Sequence, residues 1–202
     1  MPPAVFGYNT KLQDRAFDPA LARKLLRQAG VAEGLQVTLF AMPNPRPYMP
    51  QPRKVAMVIK ENLKAVGIDA RIESPEWQLY LEQVMNAKHD LCLLGWSTDN
   101  GDPDNFLWQL FDSQNAKLGS AMNVSFYRNP AADDLFRRAK RTIDRDARRT
   151  LYEKAQELLY ADAPVVPLAY FHQVVAYRKH LVGYRLHPIG LVRLWEASVG
   201  NR

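Results

Sequence analysis

The chain has little with which to build a covalent or metal-held framework. It carries one cysteine among 202 residues, which excludes an internal disulfide and a zinc site made of cysteines. Cys92 lies in the apolar run Leu91-Cys92-Leu93-Leu94, where a small buried hydrophobe is the expected role. The four histidines, His89, His172, His180 and His187, lack paired ligand spacing. No apolar stretch approaches the roughly 18 residues that a membrane helix requires. Met1-Pro2-Pro3-Ala4 lacks the basic start and apolar run of a secretory leader, so the chain reads either as cytoplasmic or as a fragment. There is no nucleophile elbow and no phosphate-cradling glycine loop. Catalysis therefore has no visible site, and a non-enzymatic chain with no cofactor and no metal is expected.

What is present is ordinary globular material. Hydrophobic residues make up 47% and charged residues 24%, enough apolar mass for a real core in one domain, with or without a short extension. The formal charge of +6 raises nucleic acid as a partner. Its cations concentrate in one stretch: Arg137, Arg138, Lys140, Arg141, Arg145, Arg148 and Arg149. Leu135, Phe136, Ala139, Ile143 and Leu151 give the same stretch an apolar face, and Asp144 and Asp146 interrupt it. A solvated helix surface accounts for this better than a basic nucleic-acid-binding domain, which salt-dependent binding to random DNA would reveal.

Along the chain, Asp18-Pro19 sets a capping carboxylate before a first-turn proline, Leu21, Leu25 and Leu26 follow at helical spacing, and Gly30 stops the helix. Leu35, Val37 and Leu39 alternate as a strand does, with Phe40 making its end apolar on both faces. A loop with prolines at 43, 45, 47, 50 and 52 leads to a helix from about Arg53, carrying Val55, Ile59, Leu63 and Val66 and closed by Gly67. Ile68, Ala70 and Ile72 form a second alternating strand. Ser74-Pro75 opens a helix with Trp77, Tyr80, Leu81, Val84 and Met85 on one face. Residues 90–95 read as a short strand buried on both sides. This order implies an α/β fold: a mostly parallel sheet flanked by helices, with right-handed crossovers. A short helix at 103–111, charged helices near 131–142 and 146–161, strands at 165–171 and 174–177, and an extended tail complete the expectation.

In a parallel sheet the C-terminal strand ends share one edge, and ligands bind in the crevice outside it. Loops 41–52, 74–75 and 96–102 meet that condition. The first carries Arg46 between two prolines and then Tyr48; the third carries Trp96, Asp99 and Asn100. A cation and an anion, each with an aromatic neighbour, thus reach one crevice from independent loops. That pairing suits a zwitterion, with a carboxylate on the guanidinium fork and an ammonium on the carboxylate. Plainer roles stand beside this one: Arg46 as an exposed loop charge or as a partner of Asp99, and Trp96 and Trp77 as core. Asp102, just before Pro103, reads as a helix cap, and Asp104 complements the dipole of that helix's first turn. Asp99 has no such structural task. The spacing of Asp99, Asp102 and Asp104 does not fit a calcium loop, because the glycine precedes Asp102 and no glutamate follows where one is required.

These residues carry a resemblance. The stretch Gly95-Trp96-Ser97-Thr98-Asp99-Asn100-Gly101-Asp102-Pro103-Asp104-Asn105-Phe106 resembles a segment of the dipeptide-binding proteins. Ala41-Met42-Pro43 with Arg46-Pro47-Tyr48 is similar to the same proteins' proline-rich loop. Asn123, Tyr127-Arg128-Asn129-Pro130 and Asp134-Leu135 resemble a later stretch. The likeness runs in order over nearly the whole chain, and on it the chain is identified as a member of the bacterial extracellular solute-binding proteins, family 5.

The resemblance implies a periplasmic receptor that closes two lobes over a short peptide and delivers it to the permease of an ABC transporter. Asp99 then matches the aspartate that binds the peptide ammonium and Arg46 the arginine that binds the carboxylate, while Trp96, Tyr48 and Asn100 belong to the same cleft. Haem or another small solute is the alternative cargo, since the family includes such carriers. Residues 1–165 would form a C-terminal ligand-binding lobe without its first strand and helix, and 166–202 would cross back to an N-terminal lobe absent from this chain. The cysteine pair that some relatives have after the aspartate-rich loop is replaced here by Asp112-Ser113 and Ser125-Phe126.

Overall fold

The computed structural model describes residues 1–31, 33–187 and 190–200. Helix α1, Pro19–Gln28, begins where its cap dictates: the Asp18 carboxylate accepts from Leu21 N at 2.8 Å. Strand β1, Leu35–Phe40, follows. Helix α2, Pro52–Lys64, starts on a proline whose missing N–H would have been unpaired there in any case. Strand β2, Ile68–Glu73, leads to helix α3, Trp77–Met85. Its cap is Glu76, which accepts from Gln78 N at 2.8 Å, so the helix opens later than the expected Ser74-Pro75. Strand β3 is Leu91–Cys92.

The three strands are all parallel, in the order β2-β1-β3. Phe40 lies opposite both Glu73 and Cys92, so the three C-terminal ends are level along one edge. Val37 and Leu39 face α2, packing with Val55, Ala56, Ile59 and Leu63. Phe40 points to the other face, against Met42, Met49, Tyr80 and Val84. Cys92 packs on this second cluster, and burial pushes its thiol up to about 12, leaving it protonated and inert at neutral pH. The expectation of a doubly buried strand at 90–95 needs correction. The ladder covers two residues, Leu91 and Leu94 are exposed, and among the described residues no strand pairs with the outer side of β3.

Beyond β3 lies a helical half. A 3-10 turn, Pro103–Asn105, runs into α4, Leu107–Phe111. Then come α5, Pro130–Arg141, capped by Asn129, and α6, Arg145–Asp162, capped by Asp144. Phe106, Leu107, Phe136, Ala139, Tyr152, Ala155 and Leu159 form its core. Between α4 and α5, where the sequence lacks the cysteine pair, Asn123 Nδ2 ties the loop by donating to the carbonyls of Asp112 (3.2 Å) and Tyr127 (2.9 Å).

Two further expectations change. The basic run is not one solvated face. Arg138 and Arg149 pair locally with Asp134 and Asp146, but Lys140 sits 3.5 Å from the Trp108 ring centroid and Arg148 turns inward. Residues 165–171 and 174–177 form no ladder; the only strands of the described tail are β4, Leu181–Val182, and β5, Ser198–Val199, paired antiparallel. A strand needs a partner's hydrogen bonds, and no neighbouring strand lies beside 165–177 among the described residues. Its side chains are correspondingly open, with Val166 at 78% and Val174 at 88% exposure.

Candidate ligand-binding site

The loops that leave the level strand ends are the ones expected to carry the site. The first, 41–51, is pinched by a backbone bridge: Arg46 N donates to Met49 O at 3.1 Å and Met49 N to Arg46 O at 2.9 Å. This projects Arg46 and Tyr48 from a buried base of Ala41, Met42 and Met49. The Arg46 guanidinium lies 4.2 Å from the centroid of Trp77, and Trp77 stacks on Tyr80 at 5.4 Å with an 11° interplanar angle. Tyr80 is fully buried and donates its hydroxyl to Leu93 O at 2.6 Å, with Phe40 O at 3.5 Å. A column of contacts thus runs from the ends of β1 and β3 to the guanidinium. Cation–π contact holds the group in place without neutralising it, and among the described residues Arg46 has no ion pair. The plainer alternative, Arg46 paired with Asp99, finds no such ion pair among the described residues.

Tyr48 lies across Gly95 so closely that a methyl group there would overlap the ring. The missing side chain at 95 therefore lets the first and third loops touch. Burial raises the pKa of the Tyr48 hydroxyl, while the Arg46 charge and the Gly95 N–H act the other way.

The third loop is a self-bonded scaffold. Thr98 Oγ1 accepts from Gly101 N at 2.8 Å and from Asn100 N at 3.3 Å, and Asn100 Oδ1 accepts from Asp102 N at 2.9 Å. Asp102 caps the following turn, accepting from Asp104 N at 2.9 Å, so its structural reading holds. It also takes both guanidinium nitrogens of Arg148, at 2.7 and 2.8 Å. Arg148 in turn bonds Ala139 O through Nε and the Tyr152 hydroxyl through Nη2, which ties this loop to α5 and α6. Burial pushes the Asp102 carboxyl up, but the Arg148 contact and the Asp104 N–H outweigh it and hold it below the usual range. Asp104 is raised by burial, only partly offset by Lys140 at 3.7 Å.

Asp99 differs from all of these. Its side chain is exposed, and among the described residues its carboxylate has neither a hydrogen bond nor an ion pair. Trp96 packs its ring on the helical core. Asn100 is exposed, and its side-chain oxygen is engaged within the loop by Asp102 N. Sequence reasoning missed three residues that hold the site: Trp77, Tyr80 and Asn105. Asn105 Oδ1 accepts from Trp96 Nε1 at 2.9 Å and from Asp99 N at 3.2 Å. Trp77 and Tyr80 stood on one helical face, but that pattern does not say which charge the face carries. Two open hollows lie nearby: about 590 Å³ between β1, β2 and α3, and about 360 Å³ behind Asn100–Pro103, beside Phe6 and Ile143. Neither is lined by Arg46 or Asp99.

Residues 1–117 match the bacterial extracellular solute-binding proteins, family 5, middle region, and the chain belongs to that family. It is 40% identical over its full length to Di/tripeptide-binding protein 1 of Pseudomonas aeruginosa, covering 37% of that protein. It is 30% identical to Heme-binding protein A of Haemophilus influenzae, again over its whole length and 36% of the relative's. A solved structure of the ABC transporter-associated periplasmic binding protein DppA from Helicobacter pylori, in complex with the peptide STSA, superposes with a TM-score of 0.86 at 36% identity. That match covers 99% of this chain and 38% of the other. The chain therefore spans little more than a third of the relatives it matches, and its α/β architecture is that of part of a periplasmic binding protein.

Proposed function

We propose that this chain is the C-terminal ligand-binding lobe of a receptor for dipeptides or other short peptides, serving an ABC transporter permease in the periplasm and catalysing no reaction. The observation that carries this is the contrast within the third loop: every other polar side chain from Thr98 to Asn105 is engaged, and the Asp99 carboxylate is presented free. In this reading Asp99 takes the peptide ammonium and Arg46, seated on Trp77, takes the carboxylate. Tyr48 and Trp96 form apolar walls, and the Asn100 amide donates to a peptide carbonyl. Residues 1–165 form the lobe. The segment from 166 onward lies against an N-terminal lobe outside this chain, which its exposed Val166, Tyr170, Phe171 and Val174 support. Internal use of Arg148 and Lys140 argues against nucleic acid as a partner.

Calorimetry on the full-length protein tests the reading. Asp99→Asn should weaken binding of a free dipeptide by about 2–5 kcal/mol, because a desolvated ammonium loses its counter-charge. N-acetylated peptides should bind poorly to the unmutated protein. Equal affinity for free and acetylated dipeptides would remove Asp99 from the site. A haem or other small-solute receptor is the second reading, supported by the haem-binding relative. A haem absorbance shift on titration, with no response to dipeptides, would favour it.

A further inference from the structure

We infer that Asn105 is a positioning residue whose single side-chain oxygen sets the Trp96 ring and the Asp99 backbone together, so that the apolar wall and the ammonium site form as one unit. The inference rests on the assignment of Asp99 to the ammonium. Its geometry is a three-centre contact: Oδ1 receives the indole N–H at 2.9 Å and the Asp99 N–H at 3.2 Å. A carbonyl oxygen has two lone pairs, so both donors are satisfied at one point.

The two sides of this contact differ in how they are held. Both donors stand on the loop after β3. The acceptor stands in the 3-10 turn Pro103–Asn105, whose Pro103 is buried and whose next residues, Phe106 and Leu107, enter the helical core. Asn105 N donates to Asp102 O at 3.1 Å, and Asp102 is gripped by Arg148. Asn105 is thus fixed to the helical half and reaches back to orient the loop. Thr98, Asn100 and Asp102 stabilise the loop's own turns, whereas the Trp96 indole N–H is held by Asn105. Discrimination by charge requires the carboxylate to be held within roughly 0.5 Å of its working position. Without the acceptor, the indole keeps only its packing on the helical core and the Asp99 backbone loses its tie to the turn.

The test uses the full-length protein, a free dipeptide such as Ala-Leu, and its N-acetyl form. Asn105→Leu keeps the size and removes the acceptor, whereas Asn105→Asp keeps an oxygen in place. Asn105→Leu should weaken binding of the free dipeptide on the order of tenfold, as expected for loss of a part-buried acceptor shared by two donors, and should shrink the preference over the acetylated form. Asn105→Asp should restore both. A merely structural Asn105 would lower thermal stability in the leucine variant and leave the ratio of the two affinities unchanged; that result overturns the inference. Hydrogen exchange of the Trp96 indole N–H in the unmutated protein, assigned through Trp96→Phe, gives a readout independent of variant folding. Exchange clearly slower than that of the exposed Trp195 indole supports the contact, and equally fast exchange overturns it. If the unmutated protein does not distinguish free from acetylated peptide, the Asp99 assignment fails, and indole exchange still decides whether Asn105 holds Trp96.

Discussion

Two stretches of this chain carry the same local signal and have opposite fates. Leu35–Phe40 and residues 165–171 are both short, apolar and rich in strand-forming side chains. The first is the central strand of the sheet, hydrogen-bonded to β2 on one side and β3 on the other, with Leu39 and Phe40 buried. The second has no regular secondary structure, no ladder and open side chains. Propensity is shared between them; partners are not. A strand is a property of a pair, and apolar side chains without a facing layer mark a surface built to be covered.

The largest effect should come from the buried side of this comparison. Phe40→Ala should destabilise the chain by about 3–5 kcal/mol, since it removes a fully packed ring. Val174→Ala should shift an equilibrium unfolding curve by less than about 0.5 kcal/mol. A second lobe would change the second number only: with it supplied, Val174→Ala should become costly, and self-association of the 202-residue chain in sedimentation should be relieved. A clean monomer without that lobe, with full peptide affinity, would contradict the idea of a covered surface.

A smaller effect should come from the clamp between the site loop and the helices. Arg148→Ala leaves Asp102 half-buried without its counter-charge and should cost about 2–3 kcal/mol in urea unfolding, because both side chains keep some contact with solvent. It should also loosen peptide binding without touching the ligand. Loss of stability with unchanged affinity would separate the clamp from the site.

The smallest effect is in the pH dependence. The carboxyl of Asp102 lies below its ordinary 3.8 in the folded chain. Its contribution to stability is therefore present above 3.8 and lost as pH falls through the folded value. Asp104 is raised, so its contribution is full below 3.8 and lost as pH rises through its folded value. Unfolding midpoints followed from neutral to strongly acidic pH should show a flatter acid limb in Asp102→Asn. Asp104→Asn should gain slightly at neutral pH. The same acid limb in Asp102→Asn and the unmutated chain would mean that another carboxylate sets it.

Much of this was legible in the linear chain, for reasons that can be named. The start of α1 was readable because a cap acts within three residues, from Asp18 to Leu21 N. Strands β1 and β2 and helix α2 were readable because burial on one face imposes a period. The common edge followed from parallel pairing, which crossovers of that length require. The cap role of Asp102 was local as well. The unread parts were those that depend on distant residues. Arg148 looked like one more cation on a solvated helix, yet its partner is 46 positions away. Trp77 looked like core, and it is also the seat of Arg46. The shortness of β3 and the missing ladder at 165–177 depend on neighbours that no local pattern contains.

By itself, then, the sequence determined the class of fold, the order of the elements from α1 to α6, and the sheet edge from which the loops of Arg46 and Asp99 leave. These follow from interactions within a few residues and from the alternation of apolar side chains, which any chain with this pattern must satisfy. Only the tertiary structure decided which charges are available. Among the described residues Asp99 and Arg46 have no ion pair, while Arg148 holds Asp102 of the loop after β3 and Lys140 holds Asp104 and Trp108 within the helical half. Neutralisation of a charge depends on what lies within a few ångströms, and that distance is set by packing between elements far apart in the chain.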